Sequence, residues 1–312
     1  MIIIGAGAAG LIAASMLRRY HPVVHEKAVG LPENHSAVLR FRNEDVSGAT
    51  GIPFKKVLVH KAVKNPFTEQ LQNESTLQLS NLYSIKVTGR VINRSILNLQ
   101  PAERWIAPAD FLQLMAGTAD IHFGSMVNLF EDSDCKEPAI STMPMPILMD
   151  QMDWNPIVPF LYSPIFVLTA KIEEPHIDIY QTIYYPDANS QIYRASVTGN
   201  NLIVECMDAP CQDQPAELVR VMENVLWDFG LNRPVLFNAK MKKQQYGKIV
   251  PIDDSIRKAF IHSMSEKYHI YSLGRYATWR NILLDDLVKD INFIDSFIRD
   301  RDLYSAYKAM IK

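Results

Sequence analysis

The chain has 312 residues, of which 48% are hydrophobic and 21% charged, and its formal net charge is −2. This length and composition suit one large or two intertwined globular domains with a sizeable core. The weak negative charge excludes a protein-wide basic field that attracts nucleic acid, although local basic surface remains compatible with it.

The cysteines of the chain are Cys135, Cys206 and Cys211. None forms a C-x-x-C pair, and no nearby histidine completes a metal-binding set, so we expect reduced structural thiols and no metal. No signal peptide precedes the first predicted strand, and no apolar run reaches membrane-spanning length. These features predict a cytoplasmic protein that does not bind a membrane.

A glycine turn opens the chain. Apolar residues 1–4 lead into Gly5-x-Gly7-x-x-Gly10, and helix-forming residues 11–18 follow. This order predicts a strand, a tight turn and a helix whose N-terminus faces phosphate charge. The spacing is that of a dinucleotide-binding fingerprint, in which Gly7 lets a pyrophosphate approach the backbone and Gly10 lets the helix pack closely on the strand.

A second apolar segment, residues 22–25, ends at Glu26, sixteen residues after Gly10. A carboxylate at the end of the second strand of such a unit binds the hydroxyls of the adenosine ribose. The alternative is a simple glycine turn followed by a surface glutamate. Arg40 and Arg42 then lie on one side of an extended segment, where each either meets phosphate or is a surface arginine.

Residues 61–148 show no single pattern of secondary structure. Residues 61–105 are polar and irregular, and the clearest strand there is predicted at residues 83–88. A helix is predicted at residues 108–116 and a strand at residues 121–127. Residues 137–148 predict a buried strand that runs into a proline-broken loop.

From residue 163 the pattern changes to a series of short strands. They are predicted at residues 166–172, 177–184, 191–197 and 201–205. The short connections favour antiparallel pairing, and a helix at residues 215–229 follows. Successive side chains of a strand point to opposite faces of the sheet. We therefore expect Tyr193 and Arg194, in the third of these strands, to point to opposite faces.

The last part of the chain repeats the opening arrangement. A strand is predicted at residues 269–273, then Gly274 and Arg275, then an amphipathic helix at residues 284–298. We therefore expect the chain to return to the opening sheet and to point a second helix N-terminus at the same ligand.

The glycine turn with Glu26, together with the segment Leu273-Gly-Arg-Tyr-Ala-Thr-Trp-Arg-Asn-Ile-Leu-Leu-Asp285, resembles the FAD-binding oxidoreductases that include the amine oxidases and UDP-galactopyranose mutase. Ala139-Ile-Ser-Thr-Met-Pro144 resembles a strand-Thr-x-Pro element of the same group. The resemblance implies FAD as cofactor and an α/β fold, in which a Rossmann-like FAD-binding domain carries an inserted antiparallel-sheet substrate domain. The implied boundaries are 1–60, 106–150 and 247–312 for the FAD-binding domain, and 61–105 and 151–246 for the substrate domain.

The resemblance also implies which residues contact the cofactor. They are Gly5, Ala6, Gly7, Ala9 and Gly10 at the pyrophosphate, Glu26 at the adenosine ribose with Lys27 beside it, Val127 at adenine, Gly274 and Arg275 at the pyrophosphate and ribitol, and the amides of Asn281 and Ile282 at the flavin N1–C2 carbonyl edge. The last two residues are expected to open the final helix, whose N-terminal dipole suits the negative charge of a reduced flavin. Arg40 is a further candidate for a phosphate contact.

Three residues are candidates for the chemistry at the substrate. His35 is either a base or a structural loop histidine, and Arg194 either pairs with a carboxylate or phosphate or faces solvent. Trp279 lies either near the flavin and substrate or in the core. A basic rim on the substrate side is expected from Lys86, Arg90, Arg94 and Arg104.

The function that the resemblance implies is that of an amine oxidase-like, FAD-dependent oxidoreductase acting on a C–N bond of an amine or amino-acid-like substrate. No second glycine fingerprint for a nicotinamide is present, which disfavours a pyridine-nucleotide reductase. The alternatives are a UDP-sugar mutase that uses reduced FAD and a non-catalytic nucleotide-binding protein. The substrate-uridine region of the mutase has no counterpart, and residues 37–42 replace the Arg-Gly-Gly-Arg loop of the amine oxidases.

A second resemblance covers short segments only. Residues 35–42 and 83–86 resemble phage flavoproteins of thymine hypermodification. That likeness implies an amino-acid-modified thymine base in phage DNA as substrate, DNA as partner, and the host cytoplasm as the location.

Overall fold

The computed structural model describes residues 1–31, 39–91, 96–127, 137–154, 159–173, 177–211, 214–232 and 235–310. The strands of these residues, in chain order, are β1 Ile2–Ile4, β2 Val23–Glu26, β3 Arg40–Phe41, β4 Lys55–Lys64, β5 Leu71–Gln72, β6 Ala102–Ile106, β7 Asp120–Phe123, β8 Ala139–Ser141, β9 Tyr162–Glu173, β10 Ile179–Tyr184, β11 Ile192–Gly199, β12 Asn201–Cys206, β13 Val235–Ile249 and β14 Ile270–Ser272. The helices are α1 Ala8–Met16, α2 Asp45–Thr50, α3 Leu77–Thr88, α4 Phe111–Ala116, α5 Met145–Gln151, α6 Pro215–Asp228, α7 Asp254–Tyr268 and α8 Leu287–Met310, with 3-10 turns at Arg18–Tyr20 and Leu284–Asp286.

One sheet is parallel and has the order β14–β8–β1–β2–β7. Its central strand is apolar because it is covered on both faces, and Ile3 pairs with Val24 on one side and Ile140 on the other. Leu11 and Ile12 of α1 pack into the same hydrophobic core. The predicted return of the chain to the opening sheet is confirmed, since β14 forms its edge.

The second sheet has the order β13–β9–β12–β11–β10–β4–β6–β3, and β5 pairs with β4. Its described neighbours are antiparallel except for β4 and β10, which run parallel. One face is covered by the apolar side of α6, and part of the other face is covered by α3. The predicted fold class, a Rossmann-like sheet with a separate, mainly antiparallel sheet, is confirmed. The predicted domain boundary at residue 60 falls inside β4.

A bulge in β11 corrects one prediction about the second sheet. The register between β11 and β12 shifts between Ile192 and Arg194. A bulge interrupts strict alternation, so neighbouring side chains turn to the same side. Tyr193 and Arg194 both reach the carboxylate of Glu205, and the prediction that they point to opposite faces is wrong.

The prediction of a strand at residues 83–88 is also wrong, because these residues belong to α3. Thr76 caps this helix by accepting a hydrogen bond from the amide of Leu79, and Gly89 ends it with φ of 73°. Leu79 and Tyr83, one helical turn apart, are buried on the same side. The strand β13 and the helix α7 have no counterpart among the predicted elements.

Among the described residues, no helix combines the length and apolarity needed to cross a bilayer.

Candidate functional site

The opening glycine turn lies at the carboxyl end of β1 and has little space on one side and open space on the other. A Cβ atom added to Gly10 would lie 1.9 Å from the carbonyl oxygen of Gly5. A Cβ atom added to Gly7 would meet nothing within 4 Å. The turn is therefore closed where the helix packs on the strand and open where a ligand would approach the backbone.

Glu26 lies beside this turn, at the end of the neighbouring strand β2. Its Oε2 accepts a hydrogen bond from the amide of Ala6 at 2.8 Å, and its Oε1 accepts one from the amide of Ala28 at 2.9 Å. The carboxylate is thus held at the rim of the glycine turn. Lys27, the next residue, is exposed.

The second glycine motif reaches the same place from the other end of the chain. Gly274 follows β14 with φ of +96°, and a Cβ atom on it would lie 3.2 Å from the Cβ of Ala9. The left-handed backbone and this close approach both favour glycine here. The structure therefore brings the two predicted cofactor segments into contact.

Arg275 connects this loop to the second sheet. Its Nη2 donates to the Oδ1 of Asn281 at 3.3 Å and to the carbonyl oxygen of Gly247 in β13 at 3.4 Å. Asn281 and Ile282 do not open the final helix, because the 3-10 turn starts at Leu284 and α8 at Leu287. That part of the prediction is wrong, because both residues lie in the irregular segment before the helix and the amide of Ile282 donates to the carbonyl oxygen of Arg280 at 2.9 Å.

Trp279, a candidate for flavin or substrate contact, lies in the hydrophobic core. Only 1% of its surface is exposed, and its Nε1 donates to the carbonyl oxygen of Val250 at 2.8 Å. Its ring packs edge-on against those of Phe160 and Tyr246. The backbone of Trp279 has φ of 45°, a conformation that this packing holds in place.

Val127 does not end the strand in which it was expected, because β7 stops at Phe123. Beyond it, the amide of Gly124 donates to the carbonyl oxygen of Ala28, and the amide of Ser125 donates to that of Glu26. These bonds keep the segment that leads to Val127 close to the end of β2, where the ribose-binding carboxylate was predicted.

Arg40 lies at the far edge of the second sheet, yet its side chain reaches β10. Its Nη1 donates to the Oγ1 of Thr182 at 3.2 Å, and that hydroxyl lies 3.0 Å from the Oγ of Ser196. Burial, with repulsion from Arg194 as the next cause, lowers the pKa of the Arg40 guanidinium to about 10. Arg40 is therefore a half-buried cation on the second sheet.

Arg194 forms an ion pair with Glu205 on the neighbouring strand, in which its Nη2 donates to Oε1 at 2.7 Å. The hydroxyl of Tyr193 donates to the same oxygen at 2.9 Å. Although burial raises it, the pKa of Glu205 falls to about 2, chiefly through the charge of Arg194. Lys248 adds to that effect, and its ammonium lies 4.3 Å from the centre of the Tyr193 ring.

Arg42 joins the strand β3 to the start of the final helix. Its amide donates to the Oδ1 of Asp285 at 2.6 Å, and its Nη2 donates to Asp286 at 2.7 Å. Asp285 is buried, so this contact fixes the position of Arg40 relative to the Gly274–Asn281 loop.

Three further side chains were predicted to lie near the substrate. His35 and Arg94 lie outside the described residues. Lys86 does not extend a basic rim: its ammonium donates to the carbonyl oxygens of Tyr185, Asp187 and Ile192 at 3.0, 2.6 and 2.6 Å.

The structure is similar to several solved structures over nearly its whole length. A reduced UDP-galactopyranose mutase matches with a TM-score of 0.68 and 16% identity, covering 95% of both chains. An oxidoreductase from Methanosarcina mazei matches with a TM-score of 0.59 and 10% identity, covering 95% of this chain and 99% of that one. A putrescine oxidase double mutant matches with a TM-score of 0.57 and 12% identity, covering 96% and 98%.

The chain has their fold. No family model and no curated protein sequence matches it.

The sequence did not point to Thr182, Ser196 or Glu205 as parts of the candidate site. Each lies on a strand that also carries other polar residues, so its side chain does not stand out in the sequence. Only the strand register shows that Thr182 lies opposite Ser196 and that Arg194 lies opposite Glu205.

Proposed function

We propose that this protein is an FAD-dependent oxidoreductase that oxidises a C–N bond of an amine or amino-acid-like substrate. The observation that carries the proposal is the meeting of three features at one edge of the parallel sheet. They are the open glycine turn, the carboxylate of Glu26 beside it, and the Gly274 loop against Ala9. The shared fold with a putrescine oxidase and a UDP-galactopyranose mutase supports it.

The residues at this edge fit a dinucleotide. The absence of a side chain at Gly7 leaves room for a pyrophosphate against the backbone, and the N-terminus of α1 offers it a positive dipole end. Glu26 supplies acceptors for ribose hydroxyls. Arg275 would hold the pyrophosphate and ribitol, and Asn281 would present its amide to the flavin edge, whereas the amide of Ile282 already donates to the carbonyl oxygen of Arg280 at 2.9 Å.

When bound, the flavin supplies the redox chemistry, by accepting a hydride from the substrate and passing the electrons to an acceptor. The chain's own residues bind and orient. Trp279, whose own backbone is left-handed, anchors the Gly274–Asn281 loop through its packing and its hydrogen bond to Val250. Arg40 and Arg194, on the second sheet, would orient the substrate.

A second candidate function is that of a UDP-sugar mutase. The observation that favours it is the TM-score of 0.68 with UDP-galactopyranose mutase over 95% of both chains. The two functions differ in their electron balance, because a mutase returns its flavin to the starting state without net oxidation of the sugar.

Anaerobic titration of the FAD-loaded protein with a panel of primary and secondary amines, amino acids and an amino-acid-modified thymidine tests the proposal. We expect one class of amine to bleach the flavin absorbance with one equivalent per site, and oxygen to restore it. The Gly7→Ala variant, loaded to its own residual FAD content, serves as the matched control for free flavin.

Failure of every amine to bleach the flavin, together with interconversion of UDP-galactopyranose and UDP-galactofuranose by the dithionite-reduced protein, would contradict C–N oxidation and support the mutase. Bleaching only by the modified thymidine would restrict the substrate to a nucleobase adduct.

A further inference from the structure

A polar patch lies on the face of the second sheet opposite α6. It consists of the guanidinium of Arg40 and the hydroxyls of Thr182, Ser196 and Thr198. Arg194 lies on β11, the strand of Ser196 and Thr198. The residues carrying the three hydroxyls are 2–5% exposed, whereas Arg40 and Arg194 are half-buried. The Oγ1 of Thr198 has no hydrogen-bond partner among the residues that the structure describes.

The charges of this patch do not balance. Glu205 is already engaged by Arg194 and Tyr193. Within the described parts of the chain, no carboxylate lies within ion-pair distance of Arg40, and the repulsion from Arg194 is only partly offset by the more distant attraction of Glu205. A half-buried cation without an ion-pair partner is costly, and a bound anion would compensate for it.

The patch is also connected to the candidate cofactor site from two directions. On one side, Arg42 ties β3 to Asp285 at the end of the Gly274–Asp285 segment. On the other side, Arg275 contacts the carbonyl oxygen of Gly247, and the next residue, Lys248, lies over the ring of Tyr193. The loop predicted to hold the flavin is therefore tied to both edge strands of the sheet that carries the patch, β3 and β13.

We propose that Arg40, with the hydroxyls of Thr182 and Ser196, forms a subsite for an oxyanion group of the substrate, a carboxylate or a phosphate. Guanidinium groups bind both anions through charge-assisted hydrogen bonds, and the hydroxyl whose proton is not used between Thr182 and Ser196 adds one neutral donor. Arg194, fixed by Glu205, adds positive potential without itself being required as a direct contact. As a substrate subsite this inference rests on the proposed function, because it names the group that orients the amine toward the flavin.

Thermal unfolding at low ionic strength, with and without added anion, tests the subsite. The probes are inorganic phosphate and acetate, compared with chloride at equal ionic strength. The variants are Arg40→Met, which removes the charge, and Thr182→Val with Ser196→Ala, which removes the hydroxyls. Arg18→Met, at an exposed position, is the control for general charge effects.

We expect phosphate or acetate to raise the Tm of the wild type and of Arg18→Met by several degrees, and to leave the Tm of Arg40→Met unchanged. Without anion, Arg40→Met should unfold at the same temperature as the wild type or higher, because it removes a half-buried charge that has no ion-pair partner among the described residues. The hydroxyl variant should keep a smaller anion response. A response to phosphate alone identifies a phosphorylated substrate, and a response to acetate alone identifies a carboxylate.

An equal anion response in the wild type and Arg40→Met, or none in the wild type, would overturn the subsite. So would a large drop in the Tm of Arg40→Met without anion, which would mark Arg40 as a structural residue. The FAD content of the same samples, read from their visible absorbance, is a separate readout. A protein without flavin whose anion response depends on Arg40 would refute the proposed function and retain the subsite.

Discussion

Gly7 and Gly10 have opposite steric surroundings, although both belong to the same short turn. Gly10 lies against the backbone of Gly5, whereas Gly7 faces open space with an ordinary φ of −73°. Of the two glycines, only Gly10 is required by the fold of the chain itself. If the turn holds a pyrophosphate, Gly7 is required by the ligand alone.

This contrast gives a prediction for two alanine variants. Gly10→Ala should destabilise the protein by about 3 kcal/mol, since a methyl group overlaps a backbone carbonyl. Gly7→Ala should change the free energy of unfolding of the apoprotein by less than about 1 kcal/mol, but should weaken FAD binding by about 100-fold, or about 2.7 kcal/mol. Urea denaturation of the apoprotein and FAD titration measure the two effects. Unchanged FAD affinity in Gly7→Ala would contradict the placement of the pyrophosphate.

At the same scale, Gly5, Gly7, Gly10, Glu26 and Gly274 were predictable because short motifs with fixed spacing report on local geometry. Arg40 was singled out as a phosphate candidate, but its partner on β10 was not predictable. The contact between Arg40 and Thr182 depends on the curvature of the second sheet. This curvature brings β3 toward β10, although β4 and β6 lie between them in the strand order. No local pattern in the sequence encodes that curvature.

At the scale of single elements, α3 shows how β-branched residues mislead a sequence-based prediction. Residues 83–88 contain Ile85, Val87 and Thr88 and read as a strand. The helix signals lie at its ends, in the cap Thr76 and in Gly89. Burial against the second sheet decides the outcome, because Leu79, Tyr83 and Val87 complete the core beneath the helix.

The same helix yields a prediction through Lys86 in its last turn. Lys86→Met leaves three carbonyl oxygens of the β10–β11 hairpin without their donor. We expect a loss of about 2 kcal/mol in the free energy of unfolding. Lys267→Met is the matched control, since Lys267 lies in the last turn of α7 and is exposed. A loss as small as that of the control would contradict the role of Lys86 in joining α3 to the sheet.

The difference in stability between the wild type and Lys86→Met should change with pH in a defined direction. Burial lowers the pKa of the Lys86 ammonium to about 8, from 10.5 in the unfolded chain. Below pH 8 both states are charged, and the folded state carries the full cost of desolvation. Between pH 8 and 10.5 only the unfolded state keeps the proton, so the contribution of Lys86 to stability rises with pH. The stability gap between the wild type and Lys86→Met should therefore widen over that range.

At the scale of the whole molecule, the division into a parallel and a mainly antiparallel sheet followed from the sequence, because the spacing of predicted strands distinguishes long crossovers from hairpins. The strand β13 did not follow from the sequence. It is an edge strand rich in lysine, with many half-exposed side chains, so its apolar pattern is weak. The parallel pairing of β4 with β10 joins segments more than a hundred residues apart and leaves no local trace.

We propose that FAD lies along the edge of the parallel sheet where Gly7, Glu26 and Gly274 meet. The most direct test is the visible spectrum of the purified protein, before and after incubation with FAD and removal of the excess. We expect flavin bands near roughly 370 and 450 nm, with one FAD per chain. A colourless protein that retains no FAD after incubation would contradict the claim and leave the glycine turn without its proposed ligand.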